Sequence, residues 1–144
     1  MDYKLRPALE TERDVIFDTY RTTVGLYVKD AWGWDEKKQK EGFWIHHPVD
    51  EFQVIETDNQ FAGGIHIKED NNDIYIKMVF LLAAYQKKGI GSKLITDIQN
   101  LSRTKGKGLR LKVIKSNPAL NLYQNLGFKI EYEDESSVDM RWVY

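Results

Sequence analysis

The chain has no cysteine in its 144 residues, so disulfide frameworks, thiolate metal sites and cysteine nucleophiles are excluded. Proline is scarce, three in all, and no proline- or serine-rich stretch divides the chain into parts. Histidine also numbers three, and the neighbours His46 and His47 would diverge by about 100 degrees on a helix. A metal centre is therefore not expected. Long apolar runs are missing too. The longest, "MVFLLAAY" at 78–85, falls far short of the roughly 20 residues a bilayer span needs. The opening "MDYKLRPALETERD" offers no apolar core for a signal sequence. Cytoplasmic residence is expected on those grounds. Charge of one sign is lacking as well: 21 Lys and Arg against 22 Asp and Glu leave a net charge of −1. That balance gives no electrostatic footing for nucleic acid or for an anionic membrane.

What is present is enough apolar material for one core: 42% hydrophobic residues with 30% charged ones to solvate the outside. A single domain over 1–144 is expected. "YKLRPA" reads as a short strand ending near Pro7. A helix follows from Thr11, its N-cap, with Val15, Ile16, Thr19 and Tyr20 at helical spacing. A second helix spans 35–44 and stops before Pro48. The period then changes to two. "EFQVIET" and "FAGGIHIKE" are strands joined by "DNQ", and "IYIKMVFLL" is a longer third strand after the turn "DNND". A helix over 91–105 carries Leu94, Ile95, Ile98 and Leu101 on one face and ends at Gly106. "LRLKVIK" is a strand, and "NPALNLYQNLG" is a short helix capped by Asn117, with Pro118 at its first position. "GFKIEY" and "VDMRWVY" close the chain as a hairpin, with Val138, Met140 and Trp142 on one face. Meander followed by strand–helix–strand units predicts an α/β domain: a mixed, mostly antiparallel sheet with helices on both faces.

The stretch "LLAAYQKKGIGSKLI" puts Gly89 and Gly91 where a helix begins, although each glycine costs about 1 kcal/mol relative to alanine in a helix. A helix start presents free N–H groups and the positive end of its dipole, and bare glycines let a bulky anion come close. Lys87 and Lys88 add positive charge. The segment reads as a phosphate or pyrophosphate cradle, or as a turn that needs glycine for its shape. The Ser92-Lys93 order does not fit a nucleotide-triphosphate loop, and the third glycine of a dinucleotide fingerprint is absent.

Gln-x-x-Gly-x-Gly at 86–91, followed after one strand by "NPALNLYQNLGF", resembles the GNAT superfamily of N-acetyltransferases, and the order of elements matches along the whole chain. The resemblance implies the GNAT acyl-CoA N-acyltransferase fold and acetyl-CoA as co-substrate. It implies that Val79, Phe80 and Leu81 lie along the pantetheine arm. Gln86, Lys87, Lys88, Gly89, Ile90, Gly91 and Ser92 would hold the pyrophosphate. Asn117 would contact the pantetheine chain, and Tyr123 would protonate the departing thiolate. Read by position alone, Tyr123 is an edge-of-core packing residue and Asn117 an ordinary cap. With no cysteine, direct transfer to the amine is simpler than a covalent acyl-enzyme.

The sequence departs from the family in its base. Tyr75 stands where some members carry a glutamate on the long strand, with Lys77 nearby, while Glu51, Glu56, His66 and Glu69 read as solvated surface groups. The resemblance implies an acceptor region over the first two helices and the late hairpin, here "YVKDAWGWDEKKQKEGFWIHH", which holds Trp32, Trp34 and Trp44. Those rings either close the core or, with Trp32 and Trp34 foremost, form an aromatic pocket where Asp30, Asp35 or Glu36 attracts a cationic amine. The leading expectation is an N-acetyltransferase acting on a small-molecule or protein amine, with a homodimer through the late hairpin as an option. The alternative is a non-catalytic acyl-CoA-binding module, and a third reading places a nucleotide in the glycine loop.

Overall fold

The computed structural model describes residues 2–144. The strands are β1 (Lys4–Pro7), β2 (Phe52–Thr57), β3 (Gln60–Glu69), β4 (Asp73–Leu81), β5 (Gly108–Ile114), β6 (Lys129–Glu133) and β7 (Ser137–Trp142). They form one sheet in the order β1-β2-β3-β4-β5-β7-β6. Every pairing is antiparallel except that of β4 with β5. The sheet is mixed and mostly antiparallel, as the alternation of the segments predicts.

Helices α1 (Arg13–Thr22), α2 (Val24–Trp32) and α3 (Glu36–His46) precede β2, whereas α4 (Ile90–Lys105) and α5 (Ala119–Asn125) flank β5. Alternation along the strands sends side chains to two cores. On one face Ile90, Leu94, Ile95 and Ile98 of α4 pack on Ile74, Ile76, Leu109, Leu111 and Met140. On the other Ile16, Phe17 and Tyr20 of α1 and Phe43 of α3 pack on Phe52, Val54 and Phe80. Val138, Met140 and Trp142 do share a face, that of α4.

Three helix readings are corrected. α2 is a helix where the sequence reads as a connection. Its segment "VGLYVKDAW" has a glycine and two β-branched residues, which weaken its intrinsic propensity. Tertiary packing supplies the rest: a Cβ on the buried Gly25 would lie 3.1 Å from the Trp34 ring, so the missing side chain makes room for the indole. The first helix starts at Arg13, not after Thr11, because a 3-10 turn over Glu10–Glu12 precedes it. There the Glu12 carboxylate takes up the Leu9 N–H at 2.9 Å and the Arg6 guanidinium at 2.7 Å. α4 begins one residue ahead of expectation, at Ile90.

Candidate active site

The two halves of the sheet part company in the middle. β4 and β5 pair from Asp73↔Gly108 to Ile76↔Leu111 and no further. Beyond that point β4 follows β3 to Gly63↔Leu81, while β5 follows β7 to Ile114↔Ser137. The register of β4 against β3 skips at Lys77, between Ile67↔Ile76 and His66↔Met78. Such a bulge bends and twists its strand, which here opens a fork. The inner edge of β4 from Val79 to Leu81 pairs with no strand, which leaves it able to bond an extended polar chain. The base of the fork is stapled. Asp73 at the foot of β4 receives Arg141 of β7 at 2.7 Å, and Arg110 of β5 lies 3.7 Å away. Gly108 is bare for this reason: a Cβ there would stand 2.5 Å from the Asp73 carboxylate and 2.7 Å from the Arg141 guanidinium.

Behind β4, Gly63 and Gly64 of β3 set the depth of its far end. A Cβ on Gly63 would fall 2.0 Å from the Phe80 carbonyl oxygen, and one on Gly64 2.3 Å from the Phe52 ring. The chain then turns towards α4. Leu82 N–H bonds Ala62 O at 2.8 Å, and the Gln86 side-chain amide donates to Leu81 O at 2.8 Å, which ties the loop back to the strand end. Lys87 and Gly89 both adopt left-handed backbone, with φ of 60° and 84°. For Lys87 that is a strained conformation of the kind that gathers at ligand loops. No side chain caps the N-terminus of α4.

Gly91 is the telling residue. An ideal Cβ there would meet Leu122 and Leu81 at 3.9 Å, an ordinary contact, so nothing in the protein requires the position to be bare. The same contacts bring the end of β4, the start of α4 and α5 to one place. Tyr123, next to Leu122 on α5, is buried against Phe128 with ring centroids 5.7 Å apart, and burial pushes its hydroxyl up to about 12. That hydroxyl has no protein partner among the described residues. The Tyr123 side chain as a whole is only 6% exposed. Asn117 does cap α5: its side-chain oxygen accepts the Ala119 N–H at 2.9 Å.

A family model described as "Acetyltransferase (GNAT) domain" matches residues 36–142, most of the chain. The chain belongs to the GNAT acetyltransferases. Solved structures agree in fold along the whole GNAT chain. PaiA N-acetyltransferase from Thermoplasma acidophilum, in complex with coenzyme A, is 19% identical with a TM-score of 0.76, covering 100% of both chains. Naa50 of Arabidopsis thaliana, in complex with the bisubstrate analogue CoA-Ac-MVNAL, is 16% identical with a TM-score of 0.68 over 100% of both. A GNAT family acetyltransferase from Elizabethkingia anophelis with acetyl-CoA bound is 15% identical, with a TM-score of 0.68 over 99% and 98% of the two chains. No curated protein sequence matches the chain.

Around this GNAT fork the residues considered as bases fall out differently. Glu69 is held by Lys105 and Lys107, and Glu56 by Arg6. His66 is not a solvated group: it is fully buried on β3, its Nδ1 2.8 Å from Nδ1 of His47, which follows α3. Its Nε2 lies 3.2 Å from Glu51, whose carboxylate also meets Lys68 at 2.5 Å. The carboxylate can only accept, so His66 Nε2 donates to it, and His66 Nδ1 accepts the proton of His47 Nδ1. Burial, helped by the neighbouring His66 and Lys77, lowers His47 to about 3. Tyr75 is half-buried and its hydroxyl is pushed up, first by burial and then by Asp139. Trp34 lies against Phe17 and Tyr20 with its indole N–H donating to Glu36 at 2.7 Å, whereas Trp32 is 59% exposed at the end of α2. The two indoles do not form one cage. The bulge at Lys77 and the buried histidine pair escaped sequence reading, since both depend on strand register. Gly63-Gly64 was a visible signal of close approach.

Proposed function

We propose that this GNAT acetyltransferase moves an acetyl group from acetyl-CoA directly to a primary amine of a small molecule or protein. The observation that carries this reading is Gly91: bare at an uncapped helix start beside the open edge of β4, with no reason within the protein for lacking a side chain. An anion that must approach the N–H groups closely supplies that reason. Acetyl-CoA, as co-substrate, supplies the thioester.

Each protein group then has a task that its setting suits. The loop from Gln86 to Ser92 would bind the pyrophosphate through backbone N–H groups, with Lys87 and Lys88 alongside. The free edge at Val79, Phe80 and Leu81 would hold the pantetheine arm in line, and an N–H on that edge would stabilise the oxyanion that forms on attack. The side-chain nitrogen of Asn117 is left for the cofactor while its oxygen caps α5. Tyr123, with its hydroxyl held protonated by burial, would give its proton to the departing thiolate. The acceptor amine must lose a proton to become a nucleophile, and water in the open fork would carry it away.

Calorimetric titration with acetyl-CoA tests the reading, with ATP and dephospho-CoA as controls. Selective acetyl-CoA binding, abolished in Gly89→Asp and Gly91→Asp proteins that still fold, is the expected result. Equal binding of ATP would mark the loop as a site for another phosphate ligand. Tight binding with no turnover on any amine would leave only a binding module.

A further inference from the structure

Resting on the acetyl-transfer reading, we infer that His47, His66 and Lys77 are positioning residues: through them the end of α3 grips β3 and β4 at the bulge and holds in place the edge of β4 that presents the thioester.

The break in register fixes the place. β3 and β4 run in step from Glu69↔Ile74 to Ile67↔Ile76 and resume at His66↔Met78, which leaves Lys77 as the extra residue. Ile76 is also the last residue of β4 to pair with β5. The direction in which Val79, Phe80 and Leu81 leave β5 is therefore set at 76–78. A bulge bends its strand and increases its twist. What packs around it limits how far.

Two adjacent residues at the end of α3 supply that limit. The Lys77 ammonium donates to the His46 carbonyl at 3.4 Å. His47 Nδ1 donates to His66 Nδ1 at 2.8 Å. Neighbouring groups of one chain segment thus reach the extra residue of β4 and the residue of β3 at which pairing resumes. The grip is braced from the far side: His66 Nε2 donates to Glu51 at 3.2 Å, and Lys68 holds that carboxylate at 2.5 Å. Phe43 and Phe52 flank the imidazoles, their ring centroids 5.0 Å from His47 and 6.2 Å from His66 respectively.

Holding α3 against the sheet does not by itself call for histidines. Both are buried among apolar rings, where polar groups are costly unless bonded and apolar side chains would hold as well. What the hydrogen bonds add is direction. Apolar contact is non-directional and lets neighbours slide, whereas a hydrogen bond fixes a distance and an angle. An oxyanion site on β4 needs that precision, because a donor is effective only at about 2.7–3.1 Å from the oxygen. Gly63 and Gly64 set how deep this stretch of β4 lies. The end of α3 sets where it points.

The test reads the thioester itself and needs no acceptor. Acetyl-CoA isotope-labelled at the thioester carbonyl is bound to the protein, and its infrared carbonyl stretch is compared with that of free acetyl-CoA. A hydrogen bond to that oxygen lowers the stretch. The parent should show the lowered value. His47→Leu and Lys77→Met, each removing one grip, should lose most of that shift, while His47→Asn and Lys77→Arg, which keep a donor, should retain it. His47 is uncharged at neutral pH, so His47→Leu alters geometry and not charge. Acetyl-CoA affinity, read by calorimetry, should be unchanged in all four, since the pyrophosphate loop lies elsewhere. A merely structural role would lower the melting temperature of His47→Leu and leave the stretch at the parent's value, and that result overturns the inference. Lys77 is half-buried and Lys77→Met keeps its stem, so this variant carries the test should His47→Leu fail to fold. A parent that binds acetyl-CoA without any lowered stretch removes the oxyanion role of β4 and this inference together. Failure to bind acetyl-CoA at all is a different readout, and it removes the acetyl-transfer reading beneath them.

Discussion

Gly91 and Tyr123 carry opposite kinds of information. Gly91 sits in the first turn of α4 at a place where a methyl group would fit the free protein. Gly91→Ala should therefore raise stability, by up to about 1 kcal/mol from helix propensity, while weakening acetyl-CoA binding. Thermal melting and calorimetry on the same sample check the two signs. A variant that loses stability, or binds as tightly as the parent, removes the argument from spare room. Tyr123 is packed as well as placed, so phenylalanine keeps the packing and deletes only the hydroxyl. Tyr123→Phe should lower kcat by more than about tenfold with acetyl-CoA affinity unchanged. Undiminished turnover would leave Tyr123 as a core residue only.

At the scale of elements the fork is the device, and it depends on a closed foot. Asp73 joins β4 to Arg141 of β7 across Gly108 of β5 and is itself mostly buried. Asp73→Ala strands the Arg141 guanidinium and should cost about 1–3 kcal/mol, read as a lower urea midpoint. A midpoint equal to the parent's would show that backbone pairing alone holds the foot. All seven strands were legible in the sequence as short apolar or alternating runs between turn residues. α2 was not legible. Its residues become helical by tertiary packing, the Trp34 indole settling on Gly25, and no local pattern announces a contact made nine residues away.

For the molecule as a whole, the buried histidine pair predicts how stability follows pH. His47 is held at about 3 in the folded protein, below the roughly 6.5 of an unfolded histidine. Between those values the unfolded chain binds more protons, so this contribution is complete above about pH 6.5 and is lost as the pH falls towards 3. His66, also lowered by burial though opposed by Glu51, acts in the same direction. Carboxylates such as Glu12, lowered from 4.5 chiefly by Arg6, contribute only in more acid solution. The melting temperature should therefore already drop between about pH 6.5 and 5, and His47→Gln should flatten that limb. An unchanged slope in the variant would assign the limb to other groups.

The sequence by itself determined the strands, their order and the family, since hydrophobic period and the Gln86–Gly91 motif are local facts of spacing. It also marked the candidate loop and the α5 segment. Only the tertiary structure decided where β4 leaves β5, because a bulge is a mismatch between two strands and belongs to neither alone. The same holds for the depth that Gly63 and Gly64 allow and for the His47–His66 pair. Each joins residues distant in the chain, and which of them meet is set by register and packing.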